Sequence, residues 1–111
     1  MSAYNTVELP NEEQCPNCGA AVRRRVQFKY GDTWQHHYDV GDVIRWGGND
    51  IGAPGRLVRV LGYVESCPTC KADVDRNVEM TVRDGRIESF RDGSTAEYIA
   101  AGHVTFLIDE G

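Results

Sequence analysis

The four cysteines of the chain form two Cys-Pro-x-Cys pairs, Cys15 with Cys18 and Cys67 with Cys70. A spacer of two residues lets both sulfurs of a tight turn face one ion. The proline fixes φ and helps to preform the turn, and Gly19 permits the positive φ that such turns often need. Thiolate sulfur is among the best ligands for tetrahedral zinc. The spacing therefore predicts one structural zinc ion per chain, bound by all four cysteines.

A site made of four protein sulfurs limits what the metal can do. Four ligands fill the tetrahedral shell, so no position remains for a water molecule or a substrate. We therefore expect the zinc to be structural and not catalytic. The chain has 48 residues between Cys18 and Cys67. Lengthening a flexible loop from about 18 to about 48 residues costs roughly 0.9 kcal/mol, which is small beside the ~10 kcal/mol of a structural metal site.

The two cysteine turns resemble those of the zinc-ribbon group, with rubredoxin-like domains as near relatives. The resemblance rests on residues 15–19 (CPNCG) and 67–70 (CPTC), and with the strands that follow it covers about a third of the chain. Zinc ribbons usually place the two pairs closer together. The resemblance therefore implies a zinc ribbon that carries a large β insertion.

Three other interpretations of the cysteines remain open. Iron could occupy the same four sulfurs, as in rubredoxins, but rubredoxin-like chains carry glycine after both pairs and here Lys71 follows the second. Dithiol redox chemistry, as at the glutaredoxin active site, is disfavoured because neither pair opens a long helix. Four unligated cysteines are disfavoured because two regular pairs rarely arise by chance. Zinc is our prediction, and iron is the minor alternative.

The rest of the chain has the patterns of short strands. Apolar residues alternate with polar ones in several segments, with the period of a half-buried strand. Asp84-Gly85 favours a hairpin, residues 94–97 (STAE) form a capping box, and Gly102 suits the position after a helix end. We predict one mainly β domain over residues 1–111, a small antiparallel domain with one short helix. The predicted elements are strands at 22–30, 56–64, 74–82, 86–90 and 103–108, extended pieces around Asp39–Asp42, a helix at 95–101, and a loose segment at 1–14 with a short strand at Val7–Leu9.

An internal repeat links the two cysteine turns. A shift of 52 positions superimposes the two Cys-Pro-x-Cys pairs, and Val22, Arg24 and Val26 then fall on residues of the same type, Val74, Arg76 and Val78. Each unit is a cysteine turn followed by an alternating strand. The repeat predicts two similar halves that meet at one metal.

The net charge, the first 14 residues and the lengths of the apolar runs indicate which partners and which cell compartment to expect. The net charge is −5, and residues 61–111 hold five basic and ten acidic side chains. Acidic chains are poor candidates for nucleic-acid binding, which depends on neutralising phosphates. The first 14 residues lack the features of a signal peptide, and no apolar run is long enough for a membrane span. We therefore expect a cytoplasmic protein that does not bind membranes, with its thiols reduced.

A run of basic residues is the best indication of a nucleic-acid partner. It consists of Arg23, Arg24 and Arg25, with Lys29 nearby. Nucleic-acid-binding zinc ribbons use basic and aromatic side chains on such strands. Arg24, however, has the same parity as inward-facing Val22, so only part of the run can lie on the exposed face. The competing interpretation is a solvated strand edge that its charges protect from pairing.

Other candidate residues lack partners in the sequence. His36 and His37 are adjacent and should point in opposite directions in an extended segment. The glycine-rich loop at Gly47–Gly55 lacks the signature of a phosphate-binding loop but could bind a ligand. The aromatic residues could line a pocket, although core positions are more common for them in a small β domain: Trp34, Tyr38, Trp46 and Tyr63.

These observations lead to three function hypotheses. The first is a non-enzymatic binding or adaptor module stabilised by structural zinc, with another protein as its partner. The second is a nucleic-acid-binding zinc ribbon that uses the arginine run at 23–25. The third is an enzyme that uses His36 or His37 in an aromatic pocket, for which the sequence carries no positive signature.

Overall fold

Short alternating segments of the chain form the strands of one curled sheet and two small hairpins. The computed structural model describes residues 4–111. Its elements are β1 Asn5–Glu8, β2 Glu13–Gln14, β3 Ala21–Val22, β4 Arg25–Phe28, β5 Gly31–Asp32, β6 His37–Tyr38, β7 Asp50–Ile51, β8 Leu57–Val64, β9 Asn77–Arg83, β10 Arg86–Asp92, α1 Ala96–Ala100 and β11 Phe106–Glu110. The predicted mainly β chain with one short helix is confirmed.

Strand β8 is the centre of the seven-stranded sheet, in which six strands have the order β10-β9-β8-β4-β1-β6 and the seventh, β11, pairs with β8. It pairs with β9 on one side, and with β4 and β11 on the other. Gly62 of β8 lies so close to the paired strand β4 that a Cβ at this position would be 2.3 Å from Cγ1 of Val26. Among the described strands, the pairs are antiparallel except β1 with β6, so the predicted antiparallel sheet has one parallel edge.

The sheet curls because the chain connects its two edge strands. After β6, residues 41–44 lie against the opposite edge strand, β10. The N–H of Gly41 donates to the carbonyl of Ile87 (2.8 Å), and the N–H of Ile87 donates to the carbonyl of Asp42 (2.9 Å). The apolar core lies inside this curl and is formed by Val7, Leu9, Val26, Phe28, Tyr30, Tyr38, Ile44, Val58, Val60, Val64, Val78, Met80, Val82 and Ile87.

The predicted loose segment at residues 1–14 is wrong at β1 and β2, and the short strand predicted at Val7–Leu9 coincides in part with β1. Residues 1–3 lie outside the described residues, and β1 runs between β4 and β6 as an internal strand. Its inward row consists of Asn5, Val7 and Leu9, all buried. Because Asn5 is polar, the alternation is hidden in the sequence. The position of this strand is determined by contacts with distant strands and not by its own pattern.

Two further predictions need correction. The predicted strand at 22–30 is interrupted at Arg23-Arg24, because β3 pairs with β2 while β4 pairs with β1 and β8. The extended pieces predicted around Asp39–Asp42 lie on either side of these residues, as β6 and as the bridge of Val43 to Arg86, and Asp39–Asp42 themselves form a turn. In this turn the N–H of Asp42 donates to the carbonyl of Asp39 (3.0 Å), and the Asp42 carboxylate accepts from the N–H of Asp39 (2.8 Å).

The helix lies within the predicted range, but its start differs from the predicted capping box. Gly102 follows the helix with a φ of +104°, as predicted for the residue after a helix end. The carboxylate of Glu97 does not cap the N-terminus and instead accepts from Arg59 at 3.0 Å. Glu97, which was expected to cap the helix, thus attaches the helix to the sheet through its ion pair with Arg59.

The end of the chain also differs in its bounds. The predicted hairpin at Asp84-Gly85 is confirmed, with φ values of +51° and +78°. The final strand begins at Phe106 and not at His103. The N–H of His103 still donates to the carbonyl of Ile99 (3.3 Å) and belongs to the helix end.

A buried carboxylate on the outer face of β9 holds the last elements in place. Glu79 is 4% exposed, and its carboxylate accepts a hydrogen bond from the Tyr98 hydroxyl (2.7 Å) and ion pairs with Arg59 and Arg91. Arg59 also reaches Asp109 of β11, with Nε 2.7 Å from Oδ2. These contacts fix α1 and β11 against the sheet.

Candidate metal centre

Both cysteine pairs lie in turns of the same geometry. In the first turn, between β2 and β3, the N–H of Cys15 donates to the carbonyl of Ala20 (2.9 Å) and the N–H of Gly19 donates to that of Cys15 (2.8 Å). The second turn, between β8 and β9, repeats both bonds at 3.1 and 2.9 Å between the residues 52 positions later. The repeat in the sequence therefore corresponds to a repeat in backbone conformation.

Each turn needs a left-handed residue after its second cysteine. Gly19 has a φ of +76°, and Lys71, at the equivalent position, has a φ of +63°. A left-handed conformation costs a non-glycine residue about 1–2 kcal/mol. The lysine therefore adopts the conformation that the first turn obtains with glycine, and its ammonium donates to the carbonyl of Pro68 (3.0 Å).

The structure brings the four cysteine sulfurs together, although the two pairs are far apart in the chain. The Sγ atoms of Cys15 and Cys70 are 3.8 Å apart, and those of Cys18 and Cys67 are 3.9 Å apart. All four lie within 4.8 Å of one another. A disulfide would need about 2.05 Å, so these are free thiols. An ion about 2.3 Å from each sulfur would separate tetrahedral ligands by about 3.8 Å. The four sulfurs could therefore hold one metal ion.

The turns also adjust the acidity of the thiols. The backbone N–H groups of Cys18 and Asn17 lower the pKa of Cys15 to about 6. The Asn17 side chain lowers the pKa of Cys70. The N–H of Ala20 lowers the pKa of Cys18, but burial and the neighbouring thiols outweigh it and raise this pKa to about 11. Four adjacent thiolates repel one another, so a bound cation is what would allow all of them to ionise.

Asn17 connects the two turns directly. It belongs to the first turn, and its Nδ2 donates to Sγ of Cys70 in the second turn at 3.3 Å. Such hydrogen bonds orient metal ligands and modify their basicity. Cys15 and Cys67 are buried together with Val22 in a small apolar cluster separate from the main core. The sequence did not identify this side-chain donor.

The structure divides the predicted basic run between two faces. Arg23 and Arg25 are exposed, whereas Arg24 is 2% exposed and its Nε donates to Glu13 (3.2 Å). The inward parity predicted for Arg24 is confirmed. Among the described residues, its buried Nη1 has no hydrogen-bond partner. Lys29 is partly buried and does not join the surface that contains the other two arginines.

Arg23 and Arg25 border a groove beside the second cysteine turn. Its volume is about 760 Å³. It contains three cationic side chains, three carboxylates and the exposed ring of Tyr63. The groove is lined by Arg23, Arg25, Lys71, Glu8, Glu65, Asp73, Gln27, Tyr63, Val64, Ser66, Cys67, Pro68 and Val74.

The sequence did not identify this groove, because core positions were expected for the aromatic residues. Tyr38 is buried and Trp46 packs partly buried against the core, but Tyr63 and Trp34 are 52% and 70% exposed. Parity along β8 could have revealed Tyr63, because it is out of step with buried Val64 and its row.

The two histidines have local partners and do not line the groove. Nε2 of His36 is 2.9 Å from a carboxylate oxygen of Asp32. Nδ1 of His37 is 2.8 Å from the hydroxyl of Thr6. The ligand atoms of His37, Glu8 and Asp39 lie within 4.8 Å of one another, but this glutamate also faces the two exposed arginines of the groove.

The predicted glycine-rich loop at Gly47–Gly55 is partly structured. It contains β7, which pairs with β5. The N–H of Gly47 donates to a carboxylate oxygen of Asp50 (2.8 Å), and the carbonyl of Ala53 accepts from the Tyr30 hydroxyl (2.7 Å). The loop is therefore fixed at both ends of its hairpin strand.

Comparisons with other proteins return no relatives: the chain matches no protein-family model, no curated protein and no solved structure. Within residues 4–111, no helix combines the length and the apolar character needed to cross a membrane.

Proposed function

We propose that the chain is a binding module whose fold is completed by one structural zinc ion at the four cysteines. The observation that supports this most directly is the sulfur spacing, 3.8 Å between Cys15 and Cys70 and 3.9 Å between Cys18 and Cys67. A zinc–thiolate tetrahedron has edges of about 3.8 Å. When bound, zinc would compensate the charge of the thiolates and link the β2–β3 turn to the β8–β9 turn. Because four sulfurs would fill its shell, it would activate no water.

Zinc is favoured over iron, which accepts the same four ligands. The sulfur spacing suits either ion. The reason for preferring zinc is the residue after the second pair, because rubredoxin-like chains carry glycine there and this chain has Lys71.

Elemental analysis of protein purified without added metal tests the site. We expect about one zinc per chain, the ratio of a single four-ligand site, and loss of the metal in Cys67→Ser but not in the neighbouring control Ser66→Ala. Iron as the bound metal, or no metal together with disulfide bonds, would contradict the zinc proposal.

For the partner, we propose a protein segment that binds in the groove. Arg23, Arg25 and Lys71 face Glu8, Glu65 and Asp73 there, so the charges of the lining balance. A phosphate backbone would be attracted by excess positive charge, whereas aromatic rings and arginines inside a polar rim are usual in protein interfaces. Tyr63, 52% exposed in the groove, would be the anchor.

A photo-reactive amino acid at position 63 tests this proposal. In the source cells, ultraviolet light should cross-link the protein to a defined protein partner. Position 99 provides the matched control, because Ile99 is 50% exposed and lies outside the groove. The cross-link should disappear in Arg25→Glu. Equal cross-linking from positions 63 and 99, or none from 63, would argue against the groove.

A nucleic acid is the second candidate partner. It is favoured by one observation, the presence of Arg23, Arg25 and Tyr63 on the same surface, because single strands bind where basic groups and stacking rings alternate. Binding of a single-stranded oligonucleotide that weakens with salt and is lost in Arg23→Ala/Arg25→Ala would support it. Absence of binding at low salt would eliminate it. For the enzyme hypothesis, no observation adds support.

A further inference from the structure

Trp34 has the most exposed side chain among the large apolar residues that the structure describes, with 70% of its surface open. It lies in the loop that connects β5 to β6, away from the groove. Exposed tryptophan rings offer a large, rigid contact area and are frequent anchors of binding surfaces. Trp34 is therefore a candidate anchor for a ligand, and the residues around it indicate which ligand it could bind.

Buried Asn5 fixes both ends of this loop. Its side chain is fully buried. Nδ2 donates to the carbonyls of Tyr30 (3.2 Å) and Asp32 (3.0 Å), and Oδ1 accepts from the N–H of His36 (3.0 Å). A buried amide is stable only when its polar atoms are paired. Here every one of these partners belongs to the loop or its flanks, so Asn5 positions the loop.

The tip of the loop is held in a strained conformation. Gln35, the residue after Trp34, has a φ of +60°, which costs a non-glycine residue about 1–2 kcal/mol. Thr33, 2% exposed, compensates by donating from its hydroxyl to the carbonyl of Asn49 (3.0 Å). The backbone that carries the ring is thus held in one conformation before any ligand binds, which reduces the entropy cost of binding.

Beside the ring is an open recess of about 410 Å³. It is lined by Asp32, Trp34, Gly48 and Asn49. The amide hydrogens of Asn49 are used by Thr33. The Asp32 carboxylate accepts from the N–H of Asn49 (3.2 Å) and contacts His36 (2.9 Å), which leaves about two of its roughly four lone-pair sites available. The side chains of the recess therefore offer mainly acceptors and a π face.

The charge around the recess has the same preference. Of the four residues that line it, only Asp32 is charged, and it carries a carboxylate. A tryptophan face attracts cations, and lysine and arginine side chains carry donors only. We propose that Trp34 and Asp32 form a second binding site, which takes a lysine or arginine side chain of a protein partner. This site shares no residue with the groove, so the module would contact partners through two separate surfaces.

Titration with a capped tripeptide, acetyl-Gly-Arg-Gly-amide, tests the second site in the full-length, metal-loaded protein. Its uncharged control is the same peptide with citrulline in place of arginine. We expect the NMR signal of the Trp34 indole N–H to shift saturably with the arginine peptide, with millimolar affinity, and not with the citrulline peptide. The indole of Trp46, partly buried against the core, should not move.

Two variants separate the contributions to this site. Trp34→Leu keeps an apolar side chain but removes the π face and should weaken binding about two- to fivefold, measured by the amide signals of Gly48 and Asn49. Asp32→Asn should also weaken it, and its folding is checked by the unchanged spectrum of the sheet. Tyr63→Ala, in the groove, should leave the affinity unaltered.

The possible outcomes are distinct. Equal shifts with the citrulline peptide, no shift with either peptide, or a shift only with an oligosaccharide such as chitotriose would each overturn the cation site. Failure of cross-linking at position 63 would remove the groove proposal and leave this one standing, because the two measurements use different surfaces.

Discussion

Lys71 occupies a left-handed position that the equivalent turn fills with Gly19. The two turns form the same backbone hydrogen bonds but have φ values of +63° at the lysine and +76° at the glycine. The second cysteine turn is therefore strained at Lys71, whereas the first turn avoids this strain because it has Gly19 at the equivalent position.

Lys71→Gly should stabilise the protein slightly. Relief of about 1–2 kcal/mol of strain exceeds the ~0.5–1 kcal/mol that glycine costs through the unfolded chain. We expect the free energy of unfolding to rise by about 0.5 kcal/mol, measured by urea denaturation of the metal-loaded protein.

Gly19→Ala is the matched control for this prediction. Among residues 4–111, and apart from the adjacent residues, the only atom within 4 Å of a Cβ at this position is Nε2 of Gln14, at 3.9 Å, so the substitution adds strain without a clash. It should lower the free energy of unfolding by about 0.5 kcal/mol, because the added strain is partly offset by the entropy that alanine removes from the unfolded chain. If Lys71→Gly destabilised the protein as much as Gly19→Ala, the lysine would contribute more than its conformation suggests.

Tyr30 makes the stability sensitive to alkaline pH. Burial raises its pKa to about 12, while in the unfolded chain the phenol titrates near pH 10. Between these values the unfolded state loses a proton that the folded state keeps. The free energy of unfolding should therefore fall as the pH rises above about 10, by up to about 1.4 kcal/mol per pH unit for this group.

Denaturant titrations at several pH values check the effect of Tyr30. In Tyr30→Phe the decline should be shallower, because one titrating phenol is gone. The slope with pH is the quantity to compare, since the variant also loses the hydrogen bond to Ala53. An identical slope in both proteins would show that another group dominates.

The pairing of strands β4 and β8 depends on the absence of a side chain at Gly62. A Cβ on Gly62 would be 2.3 Å from Cγ1 of Val26 and 3.3 Å from the carbonyl oxygen of Gln27. Gly62→Ala should therefore force the strands apart and destabilise the protein by about 1–3 kcal/mol, measured by thermal or urea unfolding.

A second substitution tests the cause. In Gly62→Ala/Val26→Ala the clashing methyl group is removed, so the double variant should lose less than the sum of the two single losses. Strict additivity would mean that the clash is not the source of the destabilisation.

Local patterns predicted the elements with strong signals. The alternation around Val26 predicted the burial of Arg24, Asp84-Gly85 predicted the hairpin, and the cysteine spacing predicted the cluster of sulfurs. Strand β1 was predicted only in part, as the short strand at Val7–Leu9, because buried Asn5 interrupts its apolar row and its pairing depends on residues 17 to 31 positions away.

The exposure of a side chain was predictable only where its position in an alternating strand indicates which face of the sheet it occupies. Tyr63 could have been placed outside from its position in β8. The exposure of Trp34 could not, because an isolated tryptophan in a short loop has no periodicity, and its conformation depends on hydrogen bonds from Asn5 and Thr33.

For the whole molecule, the sulfur cluster and the main core are separate. Cys15 and Cys67 pack with Val22 in their own small cluster, while the sheet encloses a larger apolar core. The sheet should therefore not depend on the metal for its existence.

Removal of the proposed zinc ion with a chelator should loosen the turns and preserve the sheet. We expect rapid hydrogen exchange at the amides of Gly19 and Lys71, an unchanged far-ultraviolet circular dichroism spectrum and a lower melting temperature, because an ion that binds only the folded state stabilises it. Amides of β8 and β9 serve as the internal control. Complete unfolding on chelation would show that the metal supports the entire fold.

The placement of the second cysteine pair after β8 has a consequence for biosynthesis. Cys67 leaves the ribosome 52 residues after Cys15, which takes about 3–10 s at about 5–20 residues per second. Throughout this interval the nascent chain exposes a dithiol half-site, and β4 has no β8 to pair with. Completion of the second turn thus brings the last two cysteines of the cluster and the central strand at almost the same moment.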